Sequence, residues 1–241
     1  MTAAAAARPG RVALLDWDNS LHPGFTLGPW LHALARDDHE AAAGRRFDAA
    51  RAAYDAGTLP YDDFAGLAEE LYTALADGRP VAELDALAAS FVRSDRLRPG
   101  TTDLVAALLA RDVRPMLISG APIEVLRAHA TTLGIAPEDV TGWRLAGDGD
   151  RYVGRLASGN TARGGSKAAI VAELVAAGAT IVLGLGDSSA DRPLIEAARI
   201  GAWIDPQATD EAARVRWAEA PAGPERTGSL ADLATAIAAL A

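Results

Sequence analysis

Val12-Ala13-Leu14-Leu15-Asp16-Trp17-Asp18-Asn19-Ser20 carries four apolar residues straight into a pair of aspartates. An unbroken apolar run of this length, without the alternation of a half-exposed strand, is the pattern of a strand covered on both faces. Two other segments are built the same way. Met116-Leu117-Ile118 ends at Ser119, and Ile181-Val182-Leu183 leads into Gly184-Leu185-Gly186-Asp187. Ile200-Gly201-Ala202-Trp203-Ile204 reads as a fourth core strand. Helical periodicity covers 101–111, 122–133, 167–177 and 229–240, with Pro122 suited to a first helical turn and Gly134 to a left-handed cap. Trp143-Arg144-Leu145 and Tyr152-Val153 flank Gly147-Asp148-Gly149-Asp150, which predicts a hairpin.

Buried strands alternating with helices predict an α/β fold with a Rossmann-like parallel sheet core. Residues 25–95 follow another pattern: helical stretches around 28–37, 39–56, 61–76 and 81–93, broken at Gly57, Pro60, Gly78 and Pro80, with no strand-like run among them. This predicts an all-helical insertion after the first strand, a small bundle over the sheet. Pro99-Gly100 marks the return to the core. The expected organisation is an α/β core of 10–22 and 98–241 with a helical cap of 23–97, preceded by an alanine-rich tail expected to be disordered.

At 241 residues the chain is long enough for one large core and a smaller attached unit. Half of it is apolar, as in globular proteins, and a net charge of −9 argues against a nucleic-acid partner. There are no cysteines for disulfides or thiolate chemistry. The start lacks the basic and apolar regions of a signal peptide, and no run approaches the roughly 18 apolar residues of a membrane span. The expectation is a soluble cytoplasmic protein.

Ligands of open parallel sheets collect beyond the carboxyl ends of the strands, where Asp16, Ser119 and Asp187 are expected. Asp16 and Asp18 suit a nucleophile and a proton donor or acceptor, although an Asp-x-Asp in a turn also simply bonds the local backbone. Ser119-Gly120 before a helix makes an anion site or an ordinary helix cap. Asp187 beside Asp16 offers hard oxygens suited to Mg²⁺, while Asp191 before Arg192-Pro193 also fits an N-cap. Lys167 is the single lysine in a chain otherwise rich in arginine, and it follows Gly164-Gly165-Ser166 at the start of a helix. The helix dipole disfavours a cation there, so either the lysine has a chemical task or it survived an arginine bias by chance.

In order along the chain, Asp16-x-Asp18, Ser119, Lys167 and Gly186-Asp187-x-x-x-Asp191 resemble the four motifs of the haloacid dehalogenase superfamily of aspartate-dependent phosphohydrolases. The helical insertion looks like that superfamily's first type of cap (type 1). Ser119–Pro122, Thr141–Leu145, the following hairpin to Gly154 and Gly186–Asp191 are most similar to its phosphoserine phosphatase-like branch.

The resemblance implies that Asp16 attacks phosphorus to form an aspartyl-phosphate, and that Asp18 protonates the leaving oxygen. It also implies Mg²⁺ held by Asp16, the Asp18 backbone carbonyl and Asp187, with Asp191 orienting a water ligand or Lys167. Ser119, Gly120 and nearby amides would hold phosphoryl oxygens, and Lys167 would neutralise charge. A second aspartate is absent from the dehalogenases that name the superfamily, so Asp18 favours phosphate esters. Two departures stand out. Asn19-Ser20 replaces the usual Gly-Thr or Ser-Thr, and Phe25 stands where phosphoserine phosphatases generally carry an acidic residue for the substrate's amino group.

Substrate choice is expected from the cap, with Phe25 and Arg51 as candidate contacts among Trp30, Arg45, Arg46 and Tyr54. The four histidines form no ligand pattern, and His22 is expected in a turn or at the surface. The reading is a Mg²⁺-dependent phosphomonoesterase; the alternatives are a phosphotransferase of the same superfamily or a non-catalytic phosphate-binding regulatory module.

Overall fold

The computed structural model describes residues 10–157, 166–220 and 223–240. The alanine-rich start and Gly164-Gly165 lie outside them. Strand β1 (Arg11–Leu15) is central, between β2 (Arg114–Pro122) and β6 (Thr180–Gly186), both parallel to it. β3 (Val140–Trp143) extends the parallel sheet beyond β2, and β7 (Ile200–Ile204) extends it beyond β6. The parallel core of the expected α/β Rossmann-like fold is therefore present.

The apolar run of β1 is explained by its two faces. Ala13 and Leu15 join one cluster, with Leu104, Val105 and Leu108 of α5 (Thr101–Ala110), Leu126 and Ala130 of α6 (Ile123–Leu133), and Leu233 and Ile237 of α9 (Leu230–Ala238). Val12 and Leu14 point the other way, onto Ile170 and Leu174 of α7 (Ser166–Ala176) and Leu194 of α8 (Arg192–Glu196). Helices thus cover both faces of the sheet, and neither side of β1 can be polar.

Four helices lie between β1 and α5: α1 (Leu27–Leu34), α2 (Asp38–Asp55), α3 (Tyr61–Ala76) and α4 (Val81–Phe91). Trp30, Leu31, Phe47, Phe64, Leu71 and Leu84 form their own core. Val125 of α6 and Trp143, Leu145 and Tyr152 join that core from outside the insertion. Buried Glu124 accepts hydrogen bonds from Tyr72 of α3 and Tyr152, so one carboxylate ties three elements together.

Several expectations need correction. Pro122 ends β2 and serves as N-cap residue, so α6 begins one residue later than read; its φ of −57° and ψ of 129° are extended, not helical. Gly134 caps α6 in the left-handed conformation as expected. Trp143 belongs to β3, and the hairpin is formed by β4 (Leu145–Asp148) and β5 (Arg151–Leu156). Two antiparallel strands, β8 (Val215–Glu219) and β9 (Arg226–Gly228), extend the sheet past β7 where no strand was read. No helix among the described residues is long and apolar enough to cross a membrane.

Candidate active site

Asp16 and Asp187 directly follow the neighbouring strands β1 and β6, while Ser119 lies within the adjacent β2, three residues before the strand ends rather than at the end read from the sequence. The Asp16 amide still donates to the Leu185 carbonyl at 3.0 Å, which carries the β1–β6 pairing to the edge of the site. Lys167, on the first turn of α7, reaches the same place. Its Nζ donates to Asp16 Oδ1 at 2.7 Å and also bonds Asp191 Oδ1. The other Asp16 oxygen accepts from Ser20 Oγ at 2.8 Å.

Asp191 is 1% exposed, and its second oxygen accepts from the Asp187 amide at 3.2 Å and from the Ser188 amide and hydroxyl at 2.9 Å. It closes a capping box with Ser188 but makes no side-chain cap at α8, so the N-cap reading before Arg192-Pro193 gives way to an anchor for Lys167. Gly186 makes this approach feasible: a Cβ there would lie 2.2 Å from Asp191 Cβ.

Carboxylate oxygens of Asp16, Asp187 and Asp191 lie within 4.8 Å of one another. Burial, then repulsion from Asp16 and Asp191, pushes the half-buried Asp187 carboxyl up to about 7. Burial also raises Asp16, to about 6, against the pull of Lys167. For Lys167 burial works against the charge, but Asp16 and Asp191 outweigh it and hold the ammonium above its ordinary range. Two of the three carboxylates, Asp16 and Asp191, thus share one ammonium. Asp191 is committed through both oxygens, and Asp187 has no ion pair among the described residues. An all-oxygen set with surplus negative charge fits a hard divalent cation.

Asp18 projects from the loop after β1. Its Oδ1 accepts from the Thr26 amide at 2.9 Å and from the Thr26 hydroxyl at 2.6 Å, and burial pushes its carboxyl up. Thr26 was not among the expected residues. Its only trace in the sequence is a hydroxyl eight positions after Asp18, too ordinary to single out. Ser119 Oγ is buried and accepts from the Ala121 amide at 3.2 Å, while Gly120 is exposed.

Phe25 and Arg51 meet each other: the guanidinium lies 4.0 Å over the Phe25 ring and is paired with Asp55. Trp30 is fully buried in the helical core, and Arg45 and Arg46 are exposed, bonded to the Asp38 carbonyl and Glu70. Tyr54 stacks on Phe64 at 5.1 Å. His22 is buried rather than at the surface; its Nε2 meets Asp95 Oδ1 at 3.0 Å, and His129 meets the other oxygen at 2.9 Å.

The family model for haloacid dehalogenase-like hydrolases matches residues 13–196, which include all four motifs. The chain belongs to that family. Among haloacid dehalogenase-like hydrolases of known structure, the fold is similar to several phosphoserine phosphatases. A substrate-bound phosphoserine phosphatase is 15% identical with a TM-score of 0.57, over 82% of this chain and 86% of that one. A phosphoserine phosphohydrolase-like protein from Francisella tularensis subsp. tularensis SCHU S4 is 16% identical with a TM-score of 0.55, over 80% and 86%. A protein of unknown function from Bordetella pertussis Tohama I is 24% identical with a TM-score of 0.61, over 82% and 90%. At these identities the likeness is one of fold. No curated protein matches the sequence.

Proposed function

We propose that the protein is a Mg²⁺-dependent phosphomonoesterase acting on a small phosphorylated metabolite through an aspartyl-phosphate on Asp16. The observation that carries this reading is Lys167 Nζ held between Asp16 and Asp191, with Asp187 alongside. A carboxylate attacking a phosphate dianion meets like charge, and a fixed ammonium at the nucleophile offsets it in a partly water-excluded site.

Asp16 forms the new bond to phosphorus as the ester P–O bond breaks, and Asp18 gives its proton to the departing oxygen. Asp18 then takes a proton from the water that attacks the aspartyl-phosphate, which frees inorganic phosphate and restores Asp16. Ser119, with Gly120 and the free amides opening α6, binds phosphoryl oxygens. Asp16, Asp187 and the Asp18 carbonyl would hold Mg²⁺, which when bound neutralises phosphate charge and polarises the phosphoryl group. Asp191 serves that site indirectly, by fixing Lys167 and the Asp187 loop.

We read residues 23–97 as a cap that selects the substrate. Both crossings to it border Asp18: Thr26 bonds the carboxylate on the way out, and Arg98 donates to the Asn19 carbonyl at 2.8 Å on the way back. Phe25 stands at the first crossing with an apolar ring where a carboxylate would meet a substrate amino group, which disfavours phosphoserine as substrate.

The test is hydrolysis of p-nitrophenyl phosphate. The reading expects turnover with Mg²⁺, loss with chelator, and loss in Asp16→Asn; undiminished turnover by Asp16→Asn would overturn it.

A further inference from the structure

Asp18 is bonded in a way that makes its two oxygens unequal. Oδ1 accepts twice from Thr26, at 2.9 Å from the amide and 2.6 Å from the hydroxyl, while no donor among the described residues is bonded to Oδ2. The direction of the hydroxyl bond is fixed from behind. Trp17 Nε1 donates to Thr26 Oγ1 at 2.9 Å. An indole N–H can only donate, and a threonine hydroxyl has a single proton, so that proton is left for Asp18.

The chain of donors is fully buried. Trp17 and Thr26 are both 0% exposed. The indole is flanked by His22 at 6.0 Å and His129 at 4.7 Å between ring centroids. Both imidazoles are held in turn by Asp95.

We propose that Thr26, oriented by the indole of Trp17, is a positioning residue that keeps Asp18 Oδ1 as an acceptor and makes Oδ2 the oxygen that exchanges the catalytic proton. This rests on the phosphomonoesterase reading above. In the first step Oδ2–H passes its proton to the ester oxygen, which keeps the electron pair of the broken P–O bond and leaves as the alcohol. In the second, Oδ2 takes a proton from water as the water oxygen bonds phosphorus and the Asp16–phosphorus bond breaks. Without the Thr26 bonds the carboxyl can rotate and present either oxygen, and protonation of the leaving group slows.

Proton delivery matters most when the leaving group is a poor one, so the test compares p-nitrophenyl phosphate with phenyl phosphate, whose phenol is far less acidic. Thr26→Val keeps the shape and removes the hydroxyl. General acid catalysis is worth about 10²–10⁴-fold, and mispositioning forfeits part of that. The expected loss in kcat/KM, which reports the first step alone, is about tenfold or more greater on phenyl phosphate than on p-nitrophenyl phosphate; Thr26→Ser restores the wild-type ratio, and Trp17→Phe shows the same bias more weakly. Equal losses on both esters, or a Thr26→Ser protein biased like Thr26→Val, overturn the proposal. If Thr26→Val does not fold, Trp17→Phe decides by the same ratio. Wild-type protein that turned over neither ester would instead defeat the phosphomonoesterase reading.

Discussion

Lys167 Nζ lies 2.7 Å from Asp16 Oδ1, across 151 positions of sequence. Asp191 grips the same ammonium from the other side, and the lysine side chain is 16% exposed. A compact ammonium on a flexible stem can stand between two carboxylates, whereas a planar guanidinium needs a broader slot. Lys167→Arg is therefore expected to lose at least about 100-fold in kcat with its charge intact, a loss of the order found when a preorganised electrostatic partner is removed. Steady-state kinetics on p-nitrophenyl phosphate checks this, and near-normal turnover would show that charge alone suffices.

Lys167→Met would leave buried carboxylates uncompensated. Loss of one partner of a buried pair costs about 3–5 kcal/mol. Denaturant unfolding at pH 8 should show a loss of that order, smaller at pH 5, where the stranded carboxylates can take up protons.

Metal affinity should depend on pH with a definite sign. Asp187 is raised to about 7 and Asp16 to about 6, against an ordinary value of 3.8, so the metal-free folded protein binds more protons than the unfolded chain between those limits. Its stability from these groups is greatest below about pH 4 and falls as pH climbs through 4 to 7. Protons must leave these oxygens before a cation binds. Calorimetric titration should find Mg²⁺ binding roughly tenfold tighter at pH 8 than at pH 6. A flat profile would remove Asp187 from the metal site.

Gly186→Ala introduces no charge and removes no donor, yet its Cβ would lie 2.2 Å from Asp191 Cβ. Overpacking of this kind costs about 1–3 kcal/mol, and here the displaced group is the anchor of Lys167. Activity should fall far more than stability, as seen by comparing kcat with the unfolding midpoint.

Tyr72→Phe removes one of two hydroxyls that satisfy buried Glu124. A buried acceptor left short costs about 1–3 kcal/mol. Thermal unfolding should register that loss with the fold retained, since Tyr152 still donates to Glu124.

The parts of the fold with a strong apolar signature could be read directly from the chain. β1, β2 and β6 are covered on both faces and betray themselves as unbroken runs, and the breaks at Gly57, Pro60, Gly78 and Pro80 mark the four inserted helices. β8 escaped because its outward positions are polar: Arg216 is exposed between buried Val215 and Trp217, and Glu219 is exposed at the strand's end. In the site, strand-end aspartates and the solitary lysine were legible because their chemistry is rare in those places. Thr26 was not, because an isolated hydroxyl acquires meaning only when a loop turns it back onto Asp18. His22 misled for a similar reason: Asp95, its partner, is 73 positions away.

The central claim is that Asp16 itself receives the phosphoryl group. Rapid acid quench during turnover of radiolabelled phenyl phosphate, followed by peptide mapping, tests it most directly. The expected result is an alkali-labile label on the peptide containing Asp16, absent from Asp16→Asn. Label on a different residue, or steady turnover by Asp16→Asn, would contradict it.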